Sequence, residues 1–127
     1  MGTVLGKLET SIMELLWKAP GQTVTEVEQR LLESRRIAHT TVLTTLDRLH
    51  GKGFLTRTKQ GKAFVYAPRL SRDDFEREMA EEVLGALLGH FSVSTLYAFV
   101  DLVGEDTGAI DRLEAIIRQK RREQGQE

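Results

Sequence analysis

The chain has 127 residues, of which 40% are hydrophobic and 29% are charged, a balance typical of globular rather than disordered proteins. It contains no cysteine, which excludes disulfides, thiolate metal ligands and cysteine nucleophiles and fits a reducing compartment. No apolar run approaches the roughly 20 residues that cross a bilayer, and the first residues lack the apolar core of a signal peptide, so we expect a cytoplasmic protein without membrane insertion.

The net charge of −1 conceals two halves of opposite sign. Residues 1–70 contain 11 Lys and Arg against 6 Asp and Glu, whereas residues 71–127 contain 7 against 13. A basic segment attracts polyanions and an acidic segment repels them, so the two halves are expected to have different roles. We therefore predict two domains, residues 1–70 and residues 71–127.

The first half begins with two predicted helices. Its first apolar residues recur at steps of three and four, which is the spacing of one helix face: Leu8, Ile12, Leu15 and Leu16. Pro20 and Gly21 end that helix. Thr23 and Glu26 then form a T-x-x-E capping box, which predicts a second helix that ends near Ser34.

A third helix and a hairpin complete this half. The third helix is predicted over residues 39–50, with an inward stripe spaced by four and three residues: Val42, Leu46 and Leu49. Residues 54–59 and 62–67 are rich in β-branched and aromatic side chains and flank the turn signal Gln60-Gly61, as in a β-hairpin. Three helices followed by a hairpin is the order of a winged helix-turn-helix.

The second half is predicted to contain three further helices. Ser71 precedes Asp73 and Asp74, and this start suits the electrostatics of a helix N-terminus. A second helix is expected over residues 93–103. The third ends in the basic run 120–122, where cations oppose the negative end of the helix dipole.

These three helices carry more apolar side chains than they can hide from one another. The candidates for a dimer interface are Phe75, Met79, Val83, Leu87, Phe91, Leu96, Phe99, Val100, Val103, Leu113, Ile116 and Ile117. A lobe of this size buries too little apolar surface to be stable alone, and a second copy would cover the excess through a two-fold interface. The expected fold is mostly α with a small β-hairpin wing, a winged helix-turn-helix plus a C-terminal helical dimerisation lobe, in a homodimer.

The third helix carries candidates for reading DNA. Opposite its apolar stripe, at 100° per residue, lies a hydroxyl-rich polar face that also includes Asp47. Threonine is a poor helix former, so its concentration here calls for a reason, and hydroxyl and methyl groups both suit contact with bases and phosphates. An ordinary solvated helix face is the alternative. We predict that four side chains face the major groove: Thr40, Thr41, Thr44 and Arg48.

The predicted hairpin adds a basic element. Arg57, Lys59 and Lys62 surround its turn, and on a wing they would meet phosphates beside the groove. Lysine also protects exposed strand edges from pairing with other chains, which is the alternative reason for its presence. The polar helix and the basic hairpin together, in this order, favour binding to double-stranded DNA more strongly than either element alone.

Several motifs of the first half resemble those of one repressor family. Leu8-Glu9 and Ile12-Met13-x-Leu15-Leu16-Trp17 are similar to the first helix of the penicillinase-repressor (BlaI/MecI) family. Thr41-Val42-x-Thr44-x-Leu46-x-Arg48-Leu49, followed by Lys52-Gly53, is similar to its recognition helix. Tyr66-x-Pro68 is similar to the end of its wing. Taken in series, these motifs identify the chain as resembling that family.

The resemblance covers residues 5–75 well and implies a function. It implies a transcriptional repressor whose C-terminal helices interlock in a dimer on an inverted-repeat operator. Some members control β-lactam resistance genes and are released when a sensor-linked protease pathway cleaves the C-terminal lobe. The family's cleaved bond is typically Asn-Phe, and the best match here is Ala98-Phe99. The copper-responsive branch uses a C-terminal cysteine cluster, which this chain cannot form.

The sequence contains no recognisable catalytic constellation, cofactor motif or metal site, so we expect no enzyme. His39, His50 and His90 lack the spacing of a metal-binding pair. One alternative function is a winged helix that docks a protein, which would more often show exposed apolar anchors on its third helix and wing. Another is a ligand-sensing regulator, although the residues concerned belong more often to a dimer core. Its effector pocket would be lined by Phe91, Tyr97 and Phe99.

Overall fold

The computed structural model describes residues 5–89 and 93–125. Within these ranges the chain forms six helices and one two-stranded antiparallel sheet. Three helices come first, then a β-hairpin, then three more helices. This order confirms the predicted winged helix-turn-helix and the mostly helical fold class. His90 and Phe91, which entered the predictions, lie outside the described residues.

The first helix, α1, spans Lys7–Lys18. Its predicted apolar stripe faces the core, where three side chains are fully buried: Ile12, Met13 and Leu16. At the helix start, a carboxylate oxygen of Glu9 accepts a hydrogen bond of 3.0 Å from the backbone N–H of Gly6. That bond satisfies a backbone donor for which the first turn offers no carbonyl partner.

The second helix, α2, spans Val24–Leu31. The predicted capping box is confirmed, because the hydroxyl of Thr23 accepts a hydrogen bond from the N–H of Glu26 and the carboxylate of Glu26 accepts one from the N–H of Thr23. The helix ends three residues before the predicted end near Ser34. The following side chains are exposed, and the N–H of Ser34 already turns back to the carbonyl of the last helical residue.

The third helix, α3, spans His39–Gly51, within one residue of the predicted range. The side chains of its inward stripe are fully buried, as expected: Val42, Leu46 and Leu49. They share one core with Val27 of α2. The chain leaves α3 through Gly53, whose φ of 85° lies in the left-handed region that glycine adopts without steric strain.

Two strands, β1 (Leu55–Gln60) and β2 (Ala63–Pro68), form the antiparallel wing. Their register leaves Gly61 and Lys62 as the turn, one residue later than the predicted turn at Gln60-Gly61. The reason is conformational. The φ of Gly61 is 62°, and a two-residue hairpin turn needs a positive φ at its first position, where glycine is favoured.

Backbone hydrogen bonds join the base of the wing to the loop before α2. The carbonyl of Tyr66 accepts hydrogen bonds from the N–H groups of Gly21 and Gln22, at 3.0 and 3.1 Å. The N–H of Tyr66 donates to the carbonyl of Gln22 at 2.8 Å. These bonds cover part of the outer edge of β2, which would otherwise present unpaired backbone groups.

One apolar core holds these elements together. Its buried side chains are Ile12, Met13, Leu16, Val27, Leu31, Val42, Leu46, Leu49, Leu55, Tyr66 and Phe75. Phe75 lies edge-on to the rings of Trp17 and Phe54, with ring centroids 5.1 Å apart in both pairs. The indole N–H of Trp17 donates to the carbonyl of Leu70 at 2.9 Å. Phe75, which the sequence placed in the dimer interface, is therefore buried within the protomer.

The fourth helix, α4, spans Arg72–Leu88. The hydroxyl of Ser71 accepts a hydrogen bond of 3.2 Å from the N–H of Asp74, so the helix begins where the sequence predicted. The chain divides into two compact units, Met1–Glu82 (unit 1) and Val83–Glu127 (unit 2). The division falls inside α4, later than the predicted domain boundary, because the first turns of α4 pack into the core of unit 1.

Unit 2 contains two complete helices, α5 (Val93–Val103) and α6 (Ala109–Glu123). The N–H of Gly104 donates to the carbonyl of Val100 at 2.8 Å, and α5 ends there as predicted. No residue of α5 or α6, all of which are described, is buried. None of the helices in the described part of the chain is long and apolar enough to span a membrane.

Candidate nucleic-acid interface

Helix α3 has one buried and one exposed face. Thr45 belongs to the buried side, since it is 4% exposed and its hydroxyl donates to the carbonyl of Thr41 at 2.7 Å. Asp47 is exposed. The four residues predicted to read DNA are all exposed as well: Thr40, Thr41, Thr44 and Arg48. The major groove of B-DNA is wide enough to admit an α-helix, so an exposed polar helix face of this kind is compatible with contact to base edges.

An open cleft runs between this face of α3 and the start of α1. Its walls are formed by Gly6, Lys7, Leu8, Glu9, Thr40, Thr41, Thr44, Thr45 and Arg48. Lys7 therefore adds a cation beside the candidate reading face. Lys7 was not among the predicted site residues, because only the packing of α1 against α3 brings these distant parts of the chain together.

Glu9 joins the start of α1 to the end of α3. A carboxylate oxygen of Glu9 lies 3.0 Å from the Nζ of Lys52, the residue that follows α3. Burial raises the pKa of Glu9, but the hydrogen bond from Gly6, the contact with Lys52 and the nearby charge of Arg48 outweigh burial, so its pKa is lowered. The carboxylate is thus charged at neutral pH and links two elements that frame the cleft.

A second polar contact holds the beginning of α3 against α2. The Nδ1 of His39 lies 2.6 Å from a carboxylate oxygen of Glu28. His39 is the first residue of α3, and no side chain caps that helix from Ala38. The contact therefore supplies a side-chain connection between the two helices of the helix-turn-helix, next to the exposed threonines.

Lys59 and Lys62 lie at the tip of the wing and are exposed. Neither forms an ion pair with a carboxylate in residues 5–89 or 93–125. Side chains alternate along a strand, so Lys59 shares a hairpin face with Arg57, while Lys62 occupies the turn. Both lysines are therefore positioned to meet an anionic partner.

Arg57 has different surroundings from the two lysines. Its Nη1 lies 2.9 Å from a carboxylate oxygen of Asp47 on α3, and its guanidinium lies 4.3 Å from the centre of the Phe64 ring. Hydrogen bonding raises the pKa of Arg57 above its usual value; the bond to Tyr66 has the larger effect and the bond to Asp47 the smaller one. Arg57 thus connects the wing to α3 within unit 1.

Comparison with known proteins identifies the family. The sequence profile described as penicillinase repressor matches residues 5–119, from just before α1 into α6. The chain belongs to the penicillinase repressor family. This assignment confirms the resemblance found in the sequence, and it extends beyond residues 5–75 into unit 2.

Two relatives and one solved structure agree with the family. The transcriptional regulator BlaI of Mycobacterium tuberculosis is 35% identical over 106 residues, covering 82% of this chain and 77% of that protein. The penicillinase repressor of Bacillus licheniformis is 33% identical over 67 residues, covering 53% of this chain and 52% of that protein. The solution structure of the DNA-binding domain of the repressor BlaI matches with a TM-score of 0.52 at 30% identity, covering 58% of this chain and 90% of that chain.

This member of the penicillinase repressor family is a DNA-binding transcriptional repressor and not an enzyme. The exposed face of α3 and the wing are its candidate DNA-contacting elements. No group of His, Cys, Asp and Glu side chains that could hold a metal ion occurs in the part of the chain that the structure describes.

The residues that the sequence assigns to the repressor's dimer interface have different degrees of exposure. Phe75 is buried in unit 1, and Met79 is half-buried against the same core. Val103 and Leu113 are half-buried, and Phe91 lies outside the described residues. The exposed members, each between one third and two thirds exposed, are Val83, Leu87, Leu96, Phe99, Val100, Ile116 and Ile117.

The candidate cleavage bond of this family member, Ala98-Phe99, lies within α5, and both residues are exposed. Phe99 also lines a small apolar cavity of unit 2. The cavity walls are Leu84, Leu87, Thr95, Leu96 and Phe99. Tyr97 is 68% exposed and does not line this cavity, and Phe91 lies outside the described residues. Among the aromatic residues considered for an effector pocket, the described part of the chain therefore brings only Phe99 to the cavity.

Proposed function

We propose that this repressor binds an inverted-repeat operator in double-stranded DNA as a homodimer. One observation carries the proposal. The exposed polar face of α3 and the basic wing belong to the same compact unit and are joined by the ion pair between Arg57 and Asp47. A recognition helix can then enter the major groove while the wing lies along the neighbouring phosphates.

Helix α3 supplies the base contacts in this proposal. Thr40, Thr41 and Thr44 offer hydroxyls to base edges or phosphates and methyl groups to thymine, and Arg48 offers a guanidinium. Their exposure supports the assignment. The large apolar side chains exposed on α3 and the wing are Leu43, at 43%, and Phe64, at 40%. The guanidinium of Arg57 lies over the Phe64 ring, so a protein-docking role has little apolar anchorage. Hydroxyls and charge on the remaining exposed surface favour a nucleic acid.

The wing and the start of α1 supply phosphate contacts. Lys59, Lys62 and Lys7 are exposed cations on unit 1, and Lys7 lines the cleft beside α3. Contacts of this kind strengthen binding to every DNA sequence and make it depend on salt. They position the recognition helix without selecting a base sequence.

Unit 2 pairs the two copies in this proposal. Its helices present seven exposed apolar side chains from the predicted interface, including Leu96 and Phe99. A second copy offers the same surface, so a two-fold interface would cover both at once. Pairing would place two recognition helices on successive turns of the DNA, as an inverted-repeat operator requires.

Release from the operator follows from loss of this pairing. A cut at Ala98-Phe99 would divide α5 and separate the apolar residues on either side of the cut. The bond lies in a regular helix, whereas proteases bind extended chain, so cleavage there requires local opening of α5. We propose a sensor-linked protease as the agent, acting on unit 2 and leaving the DNA-contacting unit intact.

Truncation of the chain after Ala98 tests the proposal. The truncated protein should be monomeric by sedimentation and should bind a palindromic operator far more weakly than the full chain, because two linked half-sites become independent. A chain that ends at Glu123, the last residue of α6, is the matched control and should behave like the full chain. A truncated protein that stays dimeric and binds with full affinity would exclude residues 99–127 as the pairing element.

A ligand-sensing role for unit 2 is a second candidate, favoured by its apolar cavity. Thr95 is the only polar side chain among the residues that line this cavity, so a small apolar molecule is the class of ligand that fits. Operator release by such a molecule, without any cleavage of the chain, would support this candidate. Leu87→Phe, which fills the cavity, should then abolish the response.

A further inference from the structure

Asp47 is an acidic residue on the exposed side of the recognition helix. Its side chain is 67% exposed and belongs to the polar face that carries Thr40 and Thr44. A carboxylate at this place repels phosphate, which opposes binding to the DNA backbone. Its presence therefore needs a compensating role, and its contacts indicate one.

The carboxylate of Asp47 holds Arg57 of the wing. The two side chains lie 2.9 Å apart, and the guanidinium also lies over the ring of Phe64 at 4.3 Å. In the hairpin register Arg57 stands opposite Tyr66, whose side chain is 1% exposed. We call these four residues, Asp47, Arg57, Phe64 and Tyr66, the wing clamp.

The wing clamp holds a side chain well suited to phosphate in a partly exposed contact with α3. Arginine presents a planar fork of N–H donors that matches phosphate geometry better than the point charge of lysine. Arg57 is 26% exposed at its side chain, whereas Lys59 and Lys62 are exposed and lack ion pairs in the described ranges. The cation best suited to phosphate is thus the one that contacts α3 instead.

We infer that Asp47 is a specificity-determining residue that acts through Arg57. By holding the guanidinium, it removes one sequence-independent phosphate contact and keeps the wing in one position relative to α3. Discrimination is a difference between two affinities, so weaker binding to random DNA improves it as effectively as tighter binding to the operator. The inference rests on the proposed DNA-contacting face of unit 1.

Asp47→Asn in the full chain tests the inference. The release of Arg57 should raise the affinity for a random duplex about fivefold at about 0.15 M salt and steepen the salt dependence by about 0.9 in log–log slope, as one added phosphate contact does. Operator affinity should change less, because the wing loses its ion pair with α3 as it gains the contact. The ratio of operator to random affinity should therefore fall.

Asp73→Asn is the matched control for charge. Asp73 is an exposed carboxylate in the first turn of α4 and is not part of the wing clamp. It should leave the salt slope on random duplex close to that of the unaltered protein. An equal increase in slope for both variants would overturn the inference, since the effect would then be one of net charge.

A double-mutant cycle separates action through Arg57 from simple repulsion. If Asp47 acts through Arg57, Asp47→Asn should have little effect on the salt slope in a chain that already carries Arg57→Gln. A carboxylate that only repels phosphate would have the same effect in both backgrounds. That second result would overturn the inference.

Thr44→Ala and Lys62→Ala show which proposal has failed if the outcome is negative. If neither substitution weakens operator binding, the DNA-contacting face is misplaced and the inference falls with it. If both weaken binding while Asp47→Asn leaves both the slope and the affinity ratio unchanged, the face stands and the role of Asp47 is wrong.

Discussion

Unit 1 and unit 2 use their apolar residues in opposite ways. All eleven side chains of the buried core belong to unit 1, including those of α1, α2 and α3. In unit 2 no residue of α5 or α6 is buried, and Tyr97 and Leu102 are each 68% exposed. Both regions have helices with apolar stripes. An apolar stripe therefore predicts a buried face only where other elements of the same chain pack against it.

The largest effect should come from disrupting the exposed surface of unit 2. Leu96→Glu places a charge where we propose a second copy packs, and it should convert the dimer into a monomer in sedimentation. Operator affinity should then fall by about 10²–10⁴-fold, the usual gain from linking two half-sites. Leu32→Glu is the control, because Leu32 is an exposed apolar residue of unit 1. A Leu96→Glu protein that remains dimeric would contradict the proposed pairing surface of unit 2.

Two alanine substitutions compare how much a buried side chain of unit 1 and an exposed side chain of unit 2 contribute to the free energy of unfolding. Leu46→Ala removes a fully buried side chain and should lower the free energy of unfolding by about 2–5 kcal/mol, because it leaves a cavity. Leu102→Ala removes an exposed side chain and should change it by at most about 0.5 kcal/mol. Urea denaturation measures both. Equal losses would show that Leu102 is covered in solution.

Base reading by α3 should have an intermediate effect. Thr44→Ala should weaken operator binding by about 1–3 kcal/mol and relax the preference at one base pair, while affinity for random duplex stays nearly unchanged. Competition titrations with single-base operator variants measure this. Thr107→Ala removes an exposed threonine from unit 2 and should have no effect. Equal loss on operator and random DNA would remove Thr44 from the reading face.

Phosphate contact by the wing should have a smaller effect. Lys62→Ala should reduce the log–log salt slope by about 0.9 and weaken operator and random duplex alike. Lys18→Ala, which removes an exposed lysine from the other end of α1, is the control. If Lys62→Ala changes base preference while the salt slope stays constant, the wing reads sequence and is not limited to phosphates.

The smallest effect concerns pH and Glu9. A carboxylate whose pKa is lowered by folding stabilises the folded protein above its usual pKa of 4.5, and this contribution is lost as the pH falls through the lowered value. Glu9→Gln should therefore cost about 0.5–1 kcal/mol at pH 7 and show a weaker loss of stability on acidification. Urea midpoints across acidic pH check this. Parallel pH profiles for both proteins would contradict it.

Sequence reasoning predicted what depends on neighbours in the chain. The capping box at Thr23, the buried stripe of α3 and the start of α4 at Ser71 follow from local spacing and hydrogen bonding, and all are confirmed. It did not predict contacts between distant segments. Lys7 lines the cleft beside α3 only because α1 packs against α3. The observed hairpin turn lies one residue later than the predicted one, because the positive φ of Gly61 determines the register.

The role of individual side chains was harder to predict than their exposure. Arg57 was correctly placed on a basic wing, but its partner Asp47 lies on another element. Phe75 belongs to the apolar residues of α4, and this helix continues into unit 2. The spacing of apolar residues does not show which of them pack into the core of unit 1 and which remain exposed. In both cases the sequence indicated the type of contact, and only the tertiary structure identified the residues in contact.

The backbone bonds between Gln22 and Tyr66 tie the base of the wing to the helical core. At its base, three hydrogen bonds join β2 to a loop of the helical core, so the amides of Gln22 and Tyr66 should exchange with solvent only when unit 1 opens. Among the described residues, no backbone hydrogen bond joins residues 61–65 to the helical core. We therefore expect the tip around Gly61 to move on the nanosecond to microsecond timescale. Lys59 and Lys62 could then adjust to the positions of phosphates while the base of the wing at Tyr66 remains fixed.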